Sequence, residues 1–128
     1  MTSRGRGARI KGATFERQLA KYFTDNTVLE AKRGIGQTRS GGAEVSDVDM
    51  PIIHVEAKRH KRCNIKAALR QAIEDASVNG KIPVAITKDD RADILCTMRI
   101  DDWIELFNAY LKVKKIKKWV MNYPNILI

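Results

Sequence analysis

The sequence lacks most of the features that would make its class obvious. It has only two cysteines, Cys63 and Cys96, in 128 residues. They form no C-x-x-C pair and no repeated spacing, which excludes a disulfide framework and predicts free thiols in a reducing compartment. His60 and Cys63, even with His54 nearby, are too few donors for a tetrahedral zinc site. No apolar run approaches the roughly 18 to 20 residues of a membrane span. The basic N-terminus is not followed by an apolar stretch of signal-peptide type, so a cytoplasmic protein is expected. There is no internal repeat, no Gly-Lys-Ser/Thr of a phosphate-binding P-loop and no aromatic motif of the RNP kind. Acids are also scarce: 15 against 24 lysines and arginines, for a formal net charge of +9. That excess favours an anionic partner, nucleic acid first, with phosphate contacts and steep salt dependence. A membrane surface would need a basic amphipathic helix, which only the C-terminal stretch offers. Neither a membrane partner nor a small-molecule substrate is expected.

What is present fits one domain with one core. Residues 1–12 read as a flexible basic arm, with Arg4, Arg6, Arg9 and Lys11 interleaved with glycines and available to DNA. Residues 13–128 form the domain. Phe15, Leu19 and Tyr22/Phe23 recur at helical spacing, with Glu16 beside that stripe. Residues 27–33 are β-branched and apolar enough for a strand. Residues 34–42 hold four glycines, Arg39 and Ser40, and form a polar loop able to approach a phosphate backbone. A short strand over 43–49 ends in acids, Met50-Pro51 turns the chain, and residues 52–59 make the next strand. Asn64 caps a helix over 65–77 whose apolar face is Ile65, Leu69, Ala72, Ile73 and Ala76. Strands over 82–87 and 94–98 follow. A helix opening at Asp101-Asp102 has Trp103, Leu106, Phe107 and Tyr110 on the face expected to pack on the sheet. Trp119 to Ile128 is apolar for a terminus and is a candidate dimer surface. The order α-β-β-β-α-β-β-α predicts an α/β (α+β) fold, a central mixed sheet flanked by helices.

The chemistry concentrates between Asp47 and Lys61. Side chains alternate along a strand, so His54, Glu56 and Lys58 share one face, and Ile53, Val55 and Ala57 the other. Asp47 precedes this strand across a tight turn. Two carboxylates suffice for a hard divalent cation that keeps several waters, and the main-chain carbonyl of Ala57 is a further donor. Lys58 is placed to orient an attacking water or to contact the phosphate. Asp49 shares a face with Asp47 at a spacing of two, so both acids are ligand candidates. Arg59, Lys61 and Arg62 add phosphate-seeking charge beside the strand. Glu-x-Lys alone is a common surface pair. The preceding acid, the glycine loop and the net charge give it meaning.

Asp47 followed nine residues later by Glu56-Ala57-Lys58 resembles the PD-(D/E)-x-K nuclease superfamily, with Ser46 where that pattern has proline. The run is also similar to the small Holliday junction resolvases of archaea and phages. The shared features are a Phe15-Glu16-x-x-Leu helix, the Arg39-Ser40-Gly-Gly loop, Ser46-Asp47, His54 to Arg59, and Gln71 to Ala76 on the following helix. The resemblance covers roughly residues 12–90. It implies a restriction-endonuclease-like core and a Mg²⁺- or Mn²⁺-dependent endonuclease. It also implies a homodimer that nicks symmetric strands of a four-way junction. Glu16, Asp47, Glu56 and Lys58 carry over as the catalytic set, with Asp47, Glu56, Ala57 and Glu16 around the metal. Ser40 and Arg39 carry over as loop residues near the scissile phosphate, and Gln71 as a supporting polar residue. The family spacing selects Asp47 over Asp49. The competing expectations are a nuclease of duplex or flapped DNA, and a non-catalytic basic DNA-binding module.

Overall fold

A computed structural model of the chain describes residues 3–34 and 46–114. The elements follow the expected order: α1 (Ser3–Asn26), β1 (Lys32–Arg33), β2 (Val48–Asp49), β3 (Ile53–Arg59), α2 (Ile65–Ala76), β4 (Ile82–Lys88), β5 (Ile94–Thr97) and α3 (Ile100–Val113). They fall into two compact units, Met1–Met98 and Arg99–Ile128, a division that no shift in composition announces. No helix among the described residues is long and apolar enough to cross a membrane.

In the first unit the five strands form one mixed sheet in the order β1-β2-β3-β4-β5. The β1–β2, β2–β3 and β4–β5 pairs are antiparallel, and β3–β4 is parallel over seven residue pairs, from Ile53↔Ile82 to Arg59↔Lys88. A parallel neighbour requires a crossover, which α2 supplies. The chain is thus the mixed-sheet, helix-flanked fold of the restriction-endonuclease type.

One face of the sheet meets α1. Phe15, Leu19 and Ala20 pack with Val48, Val55, Val84 and Ile86 in a buried cluster. α2 covers the opposite face, and its buried residues are Ala68, Ala72 and Ala76. A stripe of alanines lets helix and strands approach closely. His54 and Glu56, on the side of β3 away from the α1 cluster, are therefore buried, at 1% and 4% exposure. The sequence predicted one apolar and one chemical face for this strand, and the chemical face is covered as well. The Asn64 cap is present, its side chain accepting from the Ala67 N–H at 3.0 Å.

Two expectations need correcting. α1 begins at Ser3, so the segment read as a flexible arm continues the helix, with Arg6, Arg9 and Lys11 on it. Propagating an established helix adds a hydrogen bond for each residue fixed, and here that outweighs the roughly 1 kcal/mol that each glycine costs. The strand predicted over 27–33 shrinks to Lys32–Arg33. Threonine hydroxyls take the preceding backbone: Thr27 Oγ1 accepts from the Leu29 N–H at 3.1 Å, and Thr24 Oγ1 from the Ala31 N–H at 3.0 Å. Such local bonds compete with a ladder. In the second unit, α3 carries Trp103, Leu106, Phe107 and Tyr110 along its length. Trp103 and Phe107 stack on each other with centroids 4.8 Å apart. Asp101 and Asp102 occupy the first turn, where they complement the helix dipole.

Candidate active site

The site lies where β2 and β3 part. Beyond the Val48↔Val55 pair the backbone ladder gives way to side chains. The Ser46 hydroxyl accepts from the Val55 N–H at 2.8 Å and donates to the Val48 carbonyl at 2.7 Å. The next outward N–H of β3, that of Ala57, donates to Asp47 Oδ2 at 2.8 Å. The Asp47 N–H bonds the Val55 carbonyl at 2.9 Å. Serine and aspartate thus replace strand pairing and hold the aspartate against Glu56. On the other side, Gly34 donates its N–H to the Asp47 carbonyl at 2.9 Å. A Cβ on Gly34 would run into the Ser46 carbonyl, so only glycine permits this approach.

Asp47 is 8% exposed and Glu56 4%. Burial pushes both carboxyls above their ordinary range. Asp47 reaches about 7, because desolvation is joined by the charges of Glu56 and Glu16 and only partly offset by the Ala57 N–H and Lys58. Glu56 is raised by burial and by Asp75, against the Lys58 ammonium. Lys58 Nζ lies 3.0 Å from Glu56 Oε1, and its side chain is about a third exposed, so the cluster reaches solvent through the lysine. Two adjoining buried acids, both raised chiefly by burial, favour a cation between them. Among the described residues no three Asp, Glu, His or Cys side chains gather into a ligand group. Two carboxylates still fit Mg²⁺ or Mn²⁺, which keep several waters of their own.

Glu16 is near enough for its charge to raise Asp47. Its carboxylate, however, accepts from Arg33 Nε at 2.7 Å. Arg33 was not singled out in the sequence. Its pairing spans 17 residues and has no local signature. Asp75 was also missed. It lies on α2 four residues after Gln71, and its charge reaches both Glu56 and His54. Its place three residues after Ala72 and one before Ala76, on the stripe that faces the sheet, was the available signal. Gln71 itself is exposed. Burial holds His54 below the ordinary imidazole value, and its Nδ1 faces Asn79 Nδ2 at 3.1 Å.

The structure brings Asp47, Glu56, Ala57 and Lys58 together, with Glu16 beside them. Asp49 is part of β2, in register with Lys32 of β1, and it is Asp47 that bonds the Ala57 N–H. Arg39, Ser40 and the 119–128 tail lie outside the described residues, as does the side chain of Arg4. Lys61 and Arg62 are exposed, and Arg59 and Lys11 both pair with Asp90, at 2.7 and 3.2 Å.

This arrangement of one aspartate before a strand and a Glu-x-Lys on it is what gives the PD-(D/E)-x-K group its name. A family model described as "Phage putative PDDEXK endonuclease" matches residues 7–125. The chain belongs to this family. No curated protein and no solved structure matches it. Membership makes the chain a PDDEXK endonuclease and gives the carboxylate pair a context. The match extends through α3, so both units belong to the family pattern.

The Ser46 hydroxyl stands where the PD-(D/E)-x-K pattern has proline, and it bonds both strands. Ser46→Ala leaves the buried Val55 N–H without an acceptor, which should cost about 1–3 kcal/mol. It should also loosen Asp47. Thermal denaturation is expected to show a lower midpoint. An unchanged midpoint would mean that the hydroxyl does not support the strand.

Proposed function

We propose that the chain hydrolyses DNA phosphodiesters with a divalent metal held by Asp47 and Glu56, and that its substrate is branched DNA, foremost the four-way junction, cut by a homodimer. The observation that carries the metal assignment is the buried Asp47–Glu56 pair with Lys58 Nζ at 3.0 Å from Glu56. Buried acids facing a DNA backbone repel it unless a cation intervenes. Mg²⁺ or Mn²⁺, when bound, supplies charge relief at the phosphate and acidifies a water. Asp47 is oriented for this by the Ala57 N–H, which fixes one oxygen and leaves the other for the metal. The Ala57 carbonyl is the further donor. Lys58 donates from Nζ to the attacking water or to a phosphate oxygen. Glu16, held by Arg33, adds negative charge beside Asp47 and so strengthens cation binding. On the resemblance alone, Arg39 and Ser40 are assigned to the phosphate near the cut and Gln71 to a supporting role. Lys61 and Arg62, with Arg4, Arg6 and Arg9 along α1, attract the backbone.

Support for a junction comes from the likeness of residues 12–90 to junction resolvases and from the net charge of +9. The second reading, a nuclease of plain duplex or flapped DNA, is favoured by a family description that names an endonuclease and no branched substrate. Purified protein with Mg²⁺ or EDTA should be offered labelled four-way junction, flap, duplex and single strand in parallel. Symmetric paired nicks confined to the junction are expected. Equal cutting of duplex would select the second reading. No metal-dependent cutting of any substrate would overturn both. Light scattering should give a dimer, and a strict monomer would contradict coordinated cutting of two strands.

A further inference from the structure

A cleft of about 910 Å³ is lined by His60, Lys61, Arg62, Asp90 and Arg91. It opens beyond the C-terminal ends of the parallel strands β3 and β4, the edge of a parallel sheet where ligands commonly bind. Its walls are the turn after β3 and the turn after β4. These turns are bonded to each other: the His60 N–H donates to the Lys88 carbonyl at 3.3 Å, the Asp90 N–H to the Lys61 carbonyl at 3.2 Å, and the Cys63 N–H to Asp89 Oδ1 at 2.8 Å. The cleft is therefore preformed.

The one acid in its lining is already neutralised. Asp90 accepts from Arg59 Nη1 at 2.7 Å and from Lys11 Nζ at 3.2 Å. Arg59 is also bonded to the carbonyls of His60 and Lys88, at 3.0 and 3.4 Å, so it serves as a brace between the two turns. Lys61, Arg62 and Arg91 remain exposed, with Arg62 close enough to Asp89 to be felt there. Arg91 has φ of +57°. This left-handed conformation is disfavoured for a residue with a Cβ, and glycine or asparagine would fill it more easily. Such conformations collect at functional positions, and Arg91 lines the cleft.

Lys61 lies in the turn three residues beyond Lys58, so at most about 10 Å of chain separates them. That is the rise of roughly three nucleotides along one strand. We propose that this cleft is a second, metal-independent phosphate site that seats the DNA backbone a few nucleotides from the cut, with Arg91 as its main contact and the Arg59–Asp90 pair as its brace. The proposal rests on the nuclease reading for its partner, but binding and cleavage can be measured apart.

Arg91→Gly removes the guanidinium and relieves the backbone, so the fold should be kept. Arg91→Lys keeps the charge. Affinity for labelled duplex should be measured by fluorescence anisotropy in EDTA over a series of salt concentrations. With Arg91→Gly, affinity is expected to fall about tenfold for any sequence, and the slope of log K against log salt to flatten by about 1. With Arg91→Lys, most of both should be retained. In cleavage assays KM should rise for Arg91→Gly with kcat held. An unchanged salt slope in Arg91→Gly would overturn the proposal, and so would a loss of kcat at constant KM, which would put Arg91 at the reacting phosphate. Wild-type protein that binds DNA with the expected slope but cuts nothing would sink the nuclease reading and leave the cleft standing.

Discussion

Lys58→Ala should lower metal-dependent nicking by a factor on the order of 10³ or more, the scale seen when a charged group acting on the reacting phosphate is lost. Glu56→Ala should do at least as much. The two act differently. Glu56 is a buried ligand candidate at 4% exposure, and its removal takes away half of the carboxylate pair. Lys58 is the cation that opposes the upward shift of Glu56, with Nζ 3.0 Å from Oε1. Without it, burial and the Asp75 charge act on Glu56 with less opposition. Lys58→Ala should therefore weaken metal binding as well as chemistry, and high metal concentration should rescue part of its loss but none of the loss in Glu56→Ala. DNA binding in EDTA should not weaken in Glu56→Ala, which removes an acid that repels the backbone, and should change little in Lys58→Ala, since neither removes an outlying phosphate contact. Single-turnover cleavage against a Mg²⁺ series reads these effects. Full cleavage by either variant would sink the assignment.

Asp47→Asn should abolish nicking and yet stabilise the metal-free protein at alkaline pH. The Asp47 carboxyl is raised from 3.8 to about 7, chiefly by burial and by Glu56. A raised acid favours the fold only while it is protonated. Its contribution is fully present below about pH 4 and is lost as pH rises through about 7. For that shift the whole effect is at most about 4 kcal/mol. Asparagine keeps an oxygen for the Ala57 N–H and carries no charge at any pH. At pH 8.5 without metal, the variant should therefore melt several degrees above wild type, while at pH 4 the two should nearly coincide. Mg²⁺ at pH 8.5 should raise the wild-type midpoint and leave the variant's in place. A variant that melts below wild type at pH 8.5 would show that the ionised carboxylate is not a source of strain.

The fold was legible in the sequence where hydrophobic period and turn chemistry agreed. Val55 and Ala57 against Glu56 and Lys58 set the two faces of β3, Asn64 marked the start of α2, and the apolar run at 82–87 announced a strand buried on both sides. Legibility failed where polar groups decided the outcome. Thr24 and Thr27 took the backbone that composition had assigned to a strand. Helix propagation carried α1 through glycines that suggested a loose arm. At the site, the spacing of Asp47, Glu56 and Lys58 put three groups within reach of one another, because strand geometry converts sequence separation into distance. The Arg33–Glu16 pair, the Asp75 charge and the doubled role of the Ser46 hydroxyl depend on tertiary approach, which no local pattern encodes.

The central claim is that Asp47 and Glu56 form one divalent-cation site. Calorimetric titration of the protein with Mn²⁺ at pH 7, repeated in two buffers of different ionisation enthalpy, tests it most directly. One ion per chain should bind, and because Asp47, raised to about 7, is about half protonated at this pH, the ion should release about half a proton from it. Asp47→Asn and Glu56→Gln should each remove the binding. Binding that survives both substitutions, or wild-type protein that binds no Mn²⁺, would contradict the account.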